Sequence, residues 1–276
     1  MFTLEYEQQP APGVMQESTR VQTWHDLSDV VCAYGYAGPG WWAMEWPALA
    51  TFRVDSKSPT AVRVFAARDA SRARIDDLYR RSVMPLFLQA LGHETLHASA
   101  VRGSRGVLAF CGERGAGKST VAYALARRGY SQYADDTLVM NVTSGAITTQ
   151  PLPFVPRLRP ASAEFFGARE ADTSSAVTRP EPLDGVFILR PASAARRLSV
   201  TELPAPQALQ ALLAHAHCFE PDSDVSRQRL LRNYLEISAR VSVLAVDYVP
   251  GLDGLDAMLD AILAAAGMAC AASEIV

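Results

Sequence analysis

The sequence predicts an α/β fold, because short strand-like runs alternate with helical segments over most of its length. The run GVLAFCG is typical of a strand, VAYALARRG of a helix, and the stretches ending in YADD and TLVMNV of further strands. Towards the C-terminus, GVFILR and SVLAVDYV read as strands, while PQALQALLAHAH, SRQRLLRNYLEISARV and GLDAMLDAILAAA read as helices. We therefore expect a sheet covered by helices.

The N-terminal part differs from this pattern and predicts a β-rich layer over residues 1–70. ATFRV and AVRVFAA are short β-branched or aromatic runs, joined by the turn-like DSKSPT. The cluster GPGWWAMEW adds three tryptophans, for which packing in a core or hairpin is favoured over a ligand-stacking surface. We expect a second region over residues 71–276, although the two regions could also form one continuous domain.

Between these regions, RARIDDLYRRSVMPLFLQAL has apolar residues at helical spacing and predicts a helix over residues 72–91. Pro85 should kink this helix, and Gly92 stands where a helix-terminating glycine belongs. Farther along, residues 145–185 are rich in Pro, Ser and Thr, which predicts mainly loops.

The next five residues, HETLH (93–97), have the H-E-x-x-H form of zinc peptidases. That chemistry requires both histidines on one helix, one turn apart. Here a glycine precedes the motif and the strand-like ASAVRGSRGVLAF follows it. The sequence therefore disfavours a zinc site and leaves the histidines open to other roles.

The overall composition limits the classes of partner. The 276 residues include 26 basic and 29 acidic side chains, a formal charge of −3, so no basic footprint for nucleic acid or an anionic membrane is visible. The N-terminus lacks the basic start and apolar run of a signal peptide, and Asp256 and Asp260 interrupt the most apolar C-terminal stretch. We expect a cytoplasmic protein whose partners are small ligands or proteins.

GERGAGKS, here called the glycine-rich loop (residues 112–119), fits G-x-x-x-x-G-K-[ST] at every fixed position. A predicted strand leads into it and a predicted helix leaves it, which is the context that phosphate binding requires. Its backbone N–H groups would hold phosphate oxygens, Lys118 would bind the β- and γ-phosphates, and the Ser119 hydroxyl would ligate Mg²⁺. The predicted ATP-binding residues are Gly112, Glu113, Arg114, Gly115, Ala116, Gly117, Lys118, Ser119 and Thr120.

Asp135 and Asp136 are the first acidic residues after this loop, at the end of a short predicted strand. Two adjacent carboxylates beside a nucleotide site suggest two tasks: one holds Mg²⁺, and the other accepts a proton from an attacking hydroxyl. The alternative is a single metal-side aspartate with an uninvolved neighbour.

The string LHASAVRGSRGVLAFCGERGAGKSTVAYALARRGYSQYADD resembles the catalytic core of the HPr kinase/phosphorylase family. The resemblance covers roughly residues 90–142 and implies a P-loop kinase fold of the phosphoenolpyruvate carboxykinase type, using Mg²⁺ and ATP on a serine hydroxyl. By position it implies that Asp135 is the catalytic base and that His97 interacts with it. It places Asp136 and Ser119 on the metal side. A merely structural His97 is the alternative.

The C-terminal third, from PLDGVFILRP onwards, resembles more loosely the divergent kinases of that group, some of which phosphorylate precursor peptides of lasso type. The E-[IV]-R-G-x-G signature of the bifunctional enzymes is absent, and PRLRPAS occupies about that region. The resemblance therefore does not extend to phosphorolysis or to recognition of HPr. Because the bifunctional enzymes form hexamers, it also implies that self-association is possible.

Four arginines are candidates for phosphate or substrate contacts. Arg157 and Arg159 lie in PRLRPAS and could equally be solvated loop charges. Arg229 and Arg232 are three residues apart on a predicted helix and could share a phosphate- or acidic-peptide-binding face, with an ordinary exposed helix face as the alternative.

Taken together, these features predict a Mg²⁺- and ATP-dependent kinase that transfers the γ-phosphoryl group to a serine hydroxyl of a peptide or protein, with a lasso-type precursor as one possible acceptor. A kinase for small-molecule hydroxyls and a nucleotide-binding regulatory module without catalysis are the alternatives.

Overall fold

A computed structural model describes residues 2–7, 17–26, 28–154, 158–167, 179–193, 197–219 and 223–268. The chain divides into two compact units, each built from two separate stretches of the sequence. The first unit comprises Met1–His93 and His217–Leu231, and the second comprises Glu94–Ala216 and Arg232–Val276.

In the described part of the first unit, a six-stranded sheet forms the centre, in the order β1-β6-β5-β4-β3-β2. Neighbouring strands are antiparallel except β1 and β6, which are parallel. The strands predicted from ATFRV and AVRVFAA are confirmed, because these runs form β5 and β6. The six strands are β1 (Thr3–Tyr6), β2 (Thr19–His25), β3 (Val31–Gly38), β4 (Trp41–Trp46), β5 (Ala50–Asp55) and β6 (Ala61–Ala66).

The predicted helix follows the sheet as α1 (Arg72–Leu78), a π-helical turn (Tyr79–Val83) and α2 (Met84–Ala90). Pro85 has no N–H to donate to the preceding turn, and the irregularity directly precedes it, as expected of a proline within a helix. The Tyr79 ring stacks on Phe52 of β5 with centroids 6.1 Å apart. The helix therefore belongs to the first unit, which extends to His93 and does not end at residue 70 as expected.

The tryptophans of GPGWWAMEW pack against other aromatic rings of the first unit. Trp46 stacks on Trp24 at 6.1 Å between centroids, and Trp42 meets Phe219 edge-on at 6.5 Å. Trp41, one residue from Trp42 along the strand, points to the other face, where the Arg53 guanidinium lies 4.2 Å from the centre of its ring. Packing, the favoured interpretation, thus accounts for Trp42 and Trp46.

Within the described residues, the second unit contains a mixed sheet of nine strands. Seven of them run in the order β10-β8-β9-β13-β12-β11-β7, while β15 pairs with β13 and β14 pairs with β15. β9, β13 and β15 are mutually parallel, as expected of an α/β fold. The strands are β7 (Glu94–Leu96), β8 (Ala98–Arg102), β9 (Val107–Gly112), β10 (Ser131–Ala134), β11 (Leu138–Val142), β12 (Ile147–Gln150), β13 (Glu181–Pro191), β14 (Ser199–Glu202) and β15 (Ser242–Tyr248).

Helices cover this sheet and supply much of its core. Phe110 and Phe187 of the central strands, Leu125 of α3 and Leu259 of α7 are all at most 1% exposed and belong to one apolar cluster. The helices are α3 (Lys118–Arg127), α4 (Pro160–Phe166), α5 (Ala205–Leu213), α6 (Asp224–Arg240), which contributes to both units, and α7 (Leu255–Ala265). None of the helices in the described ranges has both the length and the apolar content needed to cross a membrane.

Two local expectations have different outcomes. The helix expected to end before HETLH does so: α2 ends at Ala90, Gly92 has φ 105°, and residues 94–96 form β7. His93 and His97 therefore do not lie one helical turn apart. The expectation of mainly loops over residues 145–185 was wrong in part, because β12 and α4 lie there. Pro160 and Gly167 are the first residue and the C-cap of α4.

Candidate active site

The glycine-rich loop joins the end of β9 to the start of α3. Gly112, Gly115 and Gly117 have φ values of 151°, 98° and 81°, which residues with a β-carbon rarely adopt. A β-carbon at Gly112 would also lie 2.8 Å from the carbonyl oxygen of Leu189 in the neighbouring strand. The glycines thus permit a tight curl directly before the N-terminus of α3, where backbone N–H groups and the helix dipole favour an anion.

Lys118 begins α3, and its side chain turns back into the loop. Its ammonium donates to the carbonyl oxygens of Gly112, at 2.9 Å, and Glu113, at 3.3 Å. The residue is 7% exposed, and this burial lowers the pKa of the ammonium, while the carboxylates of Asp136 and Asp135 oppose that effect. A positive charge is therefore held inside the curl of the loop.

Asp135 follows the last residue of β10 and is bonded to two hydroxyl groups. Its Oδ1 accepts hydrogen bonds from Ser119 Oγ and Ser99 Oγ, both at 2.7 Å, and the two hydroxyl oxygens are 3.3 Å apart. Ser99 lies in β8 and is fully buried. Ser119, the second residue of α3, is thus fixed directly to the end of β10.

Asp136 has φ 65°, an unusual conformation for a residue other than glycine. Its carbonyl oxygen lies 3.0 Å from His97 Nδ1. Since a carbonyl only accepts, Nδ1 must carry the proton, and in the neutral ring Nε2 is then an acceptor. Burial, followed by the charge of Lys118, lowers the pKa of His97, so the neutral ring is favoured. His97 therefore supports the backbone of the aspartate pair.

Arg159 lies against the glycine-rich loop. A β-carbon at Gly115 would be 2.9 Å from one Arg159 Nη atom, so the guanidinium covers this glycine. Arg159 directly precedes α4, which is fixed to α3 by a 3.0 Å bond between the hydroxyl groups of Thr120 and Ser162. The structure thus brings this sequence-predicted arginine to the loop. Arg157 lies outside the described residues.

The other two arginine candidates lie on α6. Arg229 donates a 2.5 Å hydrogen bond to the carbonyl oxygen of Gln89, near the end of α2. Arg232 is exposed. Arg229 thus stabilises the end of a helix in the first unit, and Arg232 lies on an exposed part of α6.

Three residues near the loop were missed by the sequence reasoning. Ser99 stands two residues after His97, and this spacing along an extended segment could have signalled that both face the loop. Tyr248 ends β15 and donates a 2.7 Å hydrogen bond to the carbonyl oxygen of Ala116. Only the sheet pairing reveals this contact. His215 follows α5, and its carbonyl oxygen accepts a 2.8 Å bond from His97 N–H.

Comparisons with known proteins add little to these observations. No protein-family model matches the chain, and no curated protein matches it. Among solved structures, the Hpr(Ser) kinase/phosphatase from Coxiella burnetii is similar at 14% identity and a TM-score of 0.36, with 62% of this chain and 89% of that chain covered. A likeness this distant carries no argument, so a functional assignment depends on the arrangement of the residues themselves.

Proposed function

We propose that this chain is a Mg²⁺- and ATP-dependent phosphotransferase that transfers the γ-phosphoryl group to a hydroxyl group, with a serine of a peptide or protein as acceptor. The observation that carries the proposal is the 2.7 Å bond between Ser119 and Asp135. It joins a carboxylate at a strand end to the hydroxyl that directly follows the lysine of a glycine-rich loop, which is the pairing that a metal–nucleotide site needs.

The phosphate groups would be held by the glycine-rich loop, residues 112–119, and by the N-terminus of α3 through Thr120. Lys118 supplies a buried positive charge, and Arg159 supplies a second one across Gly115. Both cations lie where the negative charge of a triphosphate would collect. The proposed nucleotide-binding residues are therefore those predicted from the sequence, with Arg159 added.

The donor set beside the loop fits Mg²⁺. Ser119 and Asp135 offer a hydroxyl and a carboxylate oxygen that are already bonded to each other, and Mg²⁺ prefers such oxygen ligands. When bound, the metal would neutralise charge on the β- and γ-phosphates. This geometry favours Asp135, rather than Asp136, as the partner of Ser119 on the metal side.

Asp136 is then the better candidate for the base. Asp135 is hydrogen-bonded to Ser119, which leaves the carboxylate of Asp136 for this role, and the charge of Asp136 opposes the lowering of the pKa of both Lys118 and His97. The proposal thus exchanges the roles that the family resemblance implies for the two aspartates.

In the proposed reaction the acceptor hydroxyl loses its proton to Asp136 as its oxygen forms a bond to the γ-phosphorus. The bond between the γ-phosphorus and the β,γ-bridging oxygen breaks, and ADP leaves with that oxygen. Lys118 and Arg159 stabilise the charge on the transferring group, while His97 holds the backbone of Asp136 in place. Positioning and charge stabilisation would provide most of the acceleration.

The test is transfer of label from γ-labelled ATP to a panel of serine-containing peptides and small hydroxyl compounds. We expect wild-type protein to label a peptide, and Asp136→Asn to bind Mg²⁺-ATP at near wild-type affinity but to lose transfer at least a hundredfold. Asp135→Asn should instead raise the Mg²⁺ concentration needed for ATP binding.

Other outcomes lead to different conclusions. Labelling of small hydroxyl compounds alone would support a metabolite kinase. Tight ATP binding with no labelled acceptor in the panel would support a nucleotide-binding module. If Asp135→Asn abolishes transfer without changing Mg²⁺ dependence, the roles of the two aspartates revert to those that the resemblance implies.

A further inference from the structure

His215 lies directly opposite His97 in a short antiparallel pairing at the edge of the second sheet. Leu96 bridges to Ala216, and His97 N–H donates to the His215 carbonyl oxygen at 2.8 Å. In antiparallel register, the residue after Leu96 therefore faces the residue before Ala216. Opposite residues of such a pair project to the same face, with β-carbons about 5 Å apart. The two side chains consequently project from the same face of this pairing.

His215 lies within electrostatic reach of the glycine-rich loop. It is half-buried, and burial followed by the charges of Lys118 and His97 lowers its pKa, while Glu113 of the glycine-rich loop opposes this effect. By contrast, the charges of Asp136 and Asp135 also act on His97, where they oppose the lowering of its pKa. The His215 ring is therefore neutral near pH 7 and can donate one N–H, and it lies within electrostatic reach of the phosphate-binding lysine.

We infer that His215 is a nucleotide-binding residue whose ring N–H donates a hydrogen bond to the terminal phosphate of a bound nucleoside triphosphate. The inference rests on the proposed function and extends it, because it names a residue that distinguishes ATP from ADP. His97 Nδ1 is directed to the Asp136 carbonyl oxygen, so the two histidines have different roles. His97 supports the aspartate pair, and His215 contacts the group that is transferred.

A binding measurement tests this without requiring catalysis. The affinities of wild-type protein and of His215→Ala for a non-hydrolysable ATP analogue and for ADP are measured by calorimetry with Mg²⁺. A hydrogen bond to a charged oxygen is strong enough that its loss should weaken binding of the ATP analogue about tenfold. ADP affinity should stay unchanged. His215→Asn, which retains an N–H donor, should recover part of the loss.

His25→Ala provides the matched control, since His25 is an exposed histidine in β2 of the first unit and should change neither affinity. Equal weakening of ATP-analogue and ADP binding by His215→Ala would overturn the inference, because it would indicate a structural role. Unchanged affinity for the analogue would overturn it as well. If the wild-type protein binds neither nucleotide, the proposed function itself fails, and this outcome is distinct from both.

Discussion

At the scale of single residues, the candidate site depends on Asp135 having two hydroxyl partners. Ser119 was predicted from the loop motif, because a fixed sequence pattern specifies it. Ser99 belongs to no motif, and only the pairing of β8 with β10 and β9 brings it within 2.7 Å of the same carboxylate oxygen. Sequence reasoning therefore found the part of the site that is contiguous in the chain and missed the part that the sheet assembles.

The role of Ser99 can be measured as stability. Ser99→Ala removes a buried hydrogen bond to a charged carboxylate, so we expect the free energy of unfolding to fall by about 2 kcal/mol. Urea denaturation monitored by tryptophan fluorescence would measure this. Ser238→Ala is the control: its hydroxyl makes a solvent-exposed hydrogen bond to the Leu235 carbonyl oxygen of its own helix, and its effect should stay within about 0.5 kcal/mol. Equal effects of the two substitutions would contradict the importance of the Asp135 contact.

At the scale of elements, α4 is the feature that positions Arg159. The sequence indicated the arginine but predicted loops around it, because a seven-residue helix flanked by proline and glycine gives too short a periodic signal. The structure attaches α4 to α3 through the Thr120–Ser162 hydroxyl pair and through the Tyr123 and Phe166 rings, whose centroids are 5.1 Å apart. The position of Arg159 is thus a property of helix packing rather than of a local motif.

Two glycine substitutions separate the contribution of Arg159 from backbone strain. Gly115 and Gly129 have nearly equal φ values, 98° and 94°, so an alanine should strain either position by about 1–2 kcal/mol. A β-carbon at Gly115 would meet the Arg159 guanidinium at 2.9 Å, whereas no heavy atom of the described residues other than its chain neighbours lies within 4 Å of one at Gly129. We expect Gly115→Ala to weaken ATP binding about tenfold, the cost of losing one charged hydrogen bond, and Gly129→Ala to leave it unchanged.

Calorimetric titration with Mg²⁺-ATP distinguishes the two variants, and Arg159→Ala completes the comparison. If Gly115→Ala acts by displacing the guanidinium, combining it with Arg159→Ala should weaken binding no further than the more damaging single substitution. Additive losses would instead show that the glycine and the arginine act independently, and the assignment of Arg159 to the phosphates would then lose its support.

At the scale of the whole molecule, each unit combines two separate stretches of the sequence, and this was the least predictable feature. Composition suggested a boundary at residue 70, but α1 and α2 belong to the first unit, as does a segment of the C-terminal third, residues 217–231. Local periodicity correctly indicated the helix and its end at Gly92, since both depend on neighbouring residues. It carried no information about which sheet the helix covers, because that depends on contacts far apart in the sequence.

Phe219 shows how strongly the first unit depends on this distant segment. Phe219 is 1% exposed, and its ring stacks on Trp24 with centroids 6.4 Å apart and meets Trp42 edge-on at 6.5 Å. The backbone N–H of Phe219 donates to Gln89 Oε1 at 2.8 Å. It also approaches Gly35 so closely that a β-carbon there would lie 2.9 Å from the ring. One residue from the C-terminal third therefore completes the aromatic core of the N-terminal sheet.

We accordingly expect Phe219→Ala to lower the free energy of unfolding by about 3–5 kcal/mol, because it leaves a cavity among large rings that cannot collapse to fill it. Phe165→Ala provides the matched control: that ring is 54% exposed, so its removal should cost less than about 1 kcal/mol. Chemical denaturation at 25 °C would measure both. Since Phe219 lies in the first unit and the glycine-rich loop in the second, protein that remains folded should bind ATP with wild-type affinity. A small effect of Phe219→Ala on stability would mean that the first unit holds its core without residues 217–231. The assignment of that segment to the first unit would then have to be withdrawn.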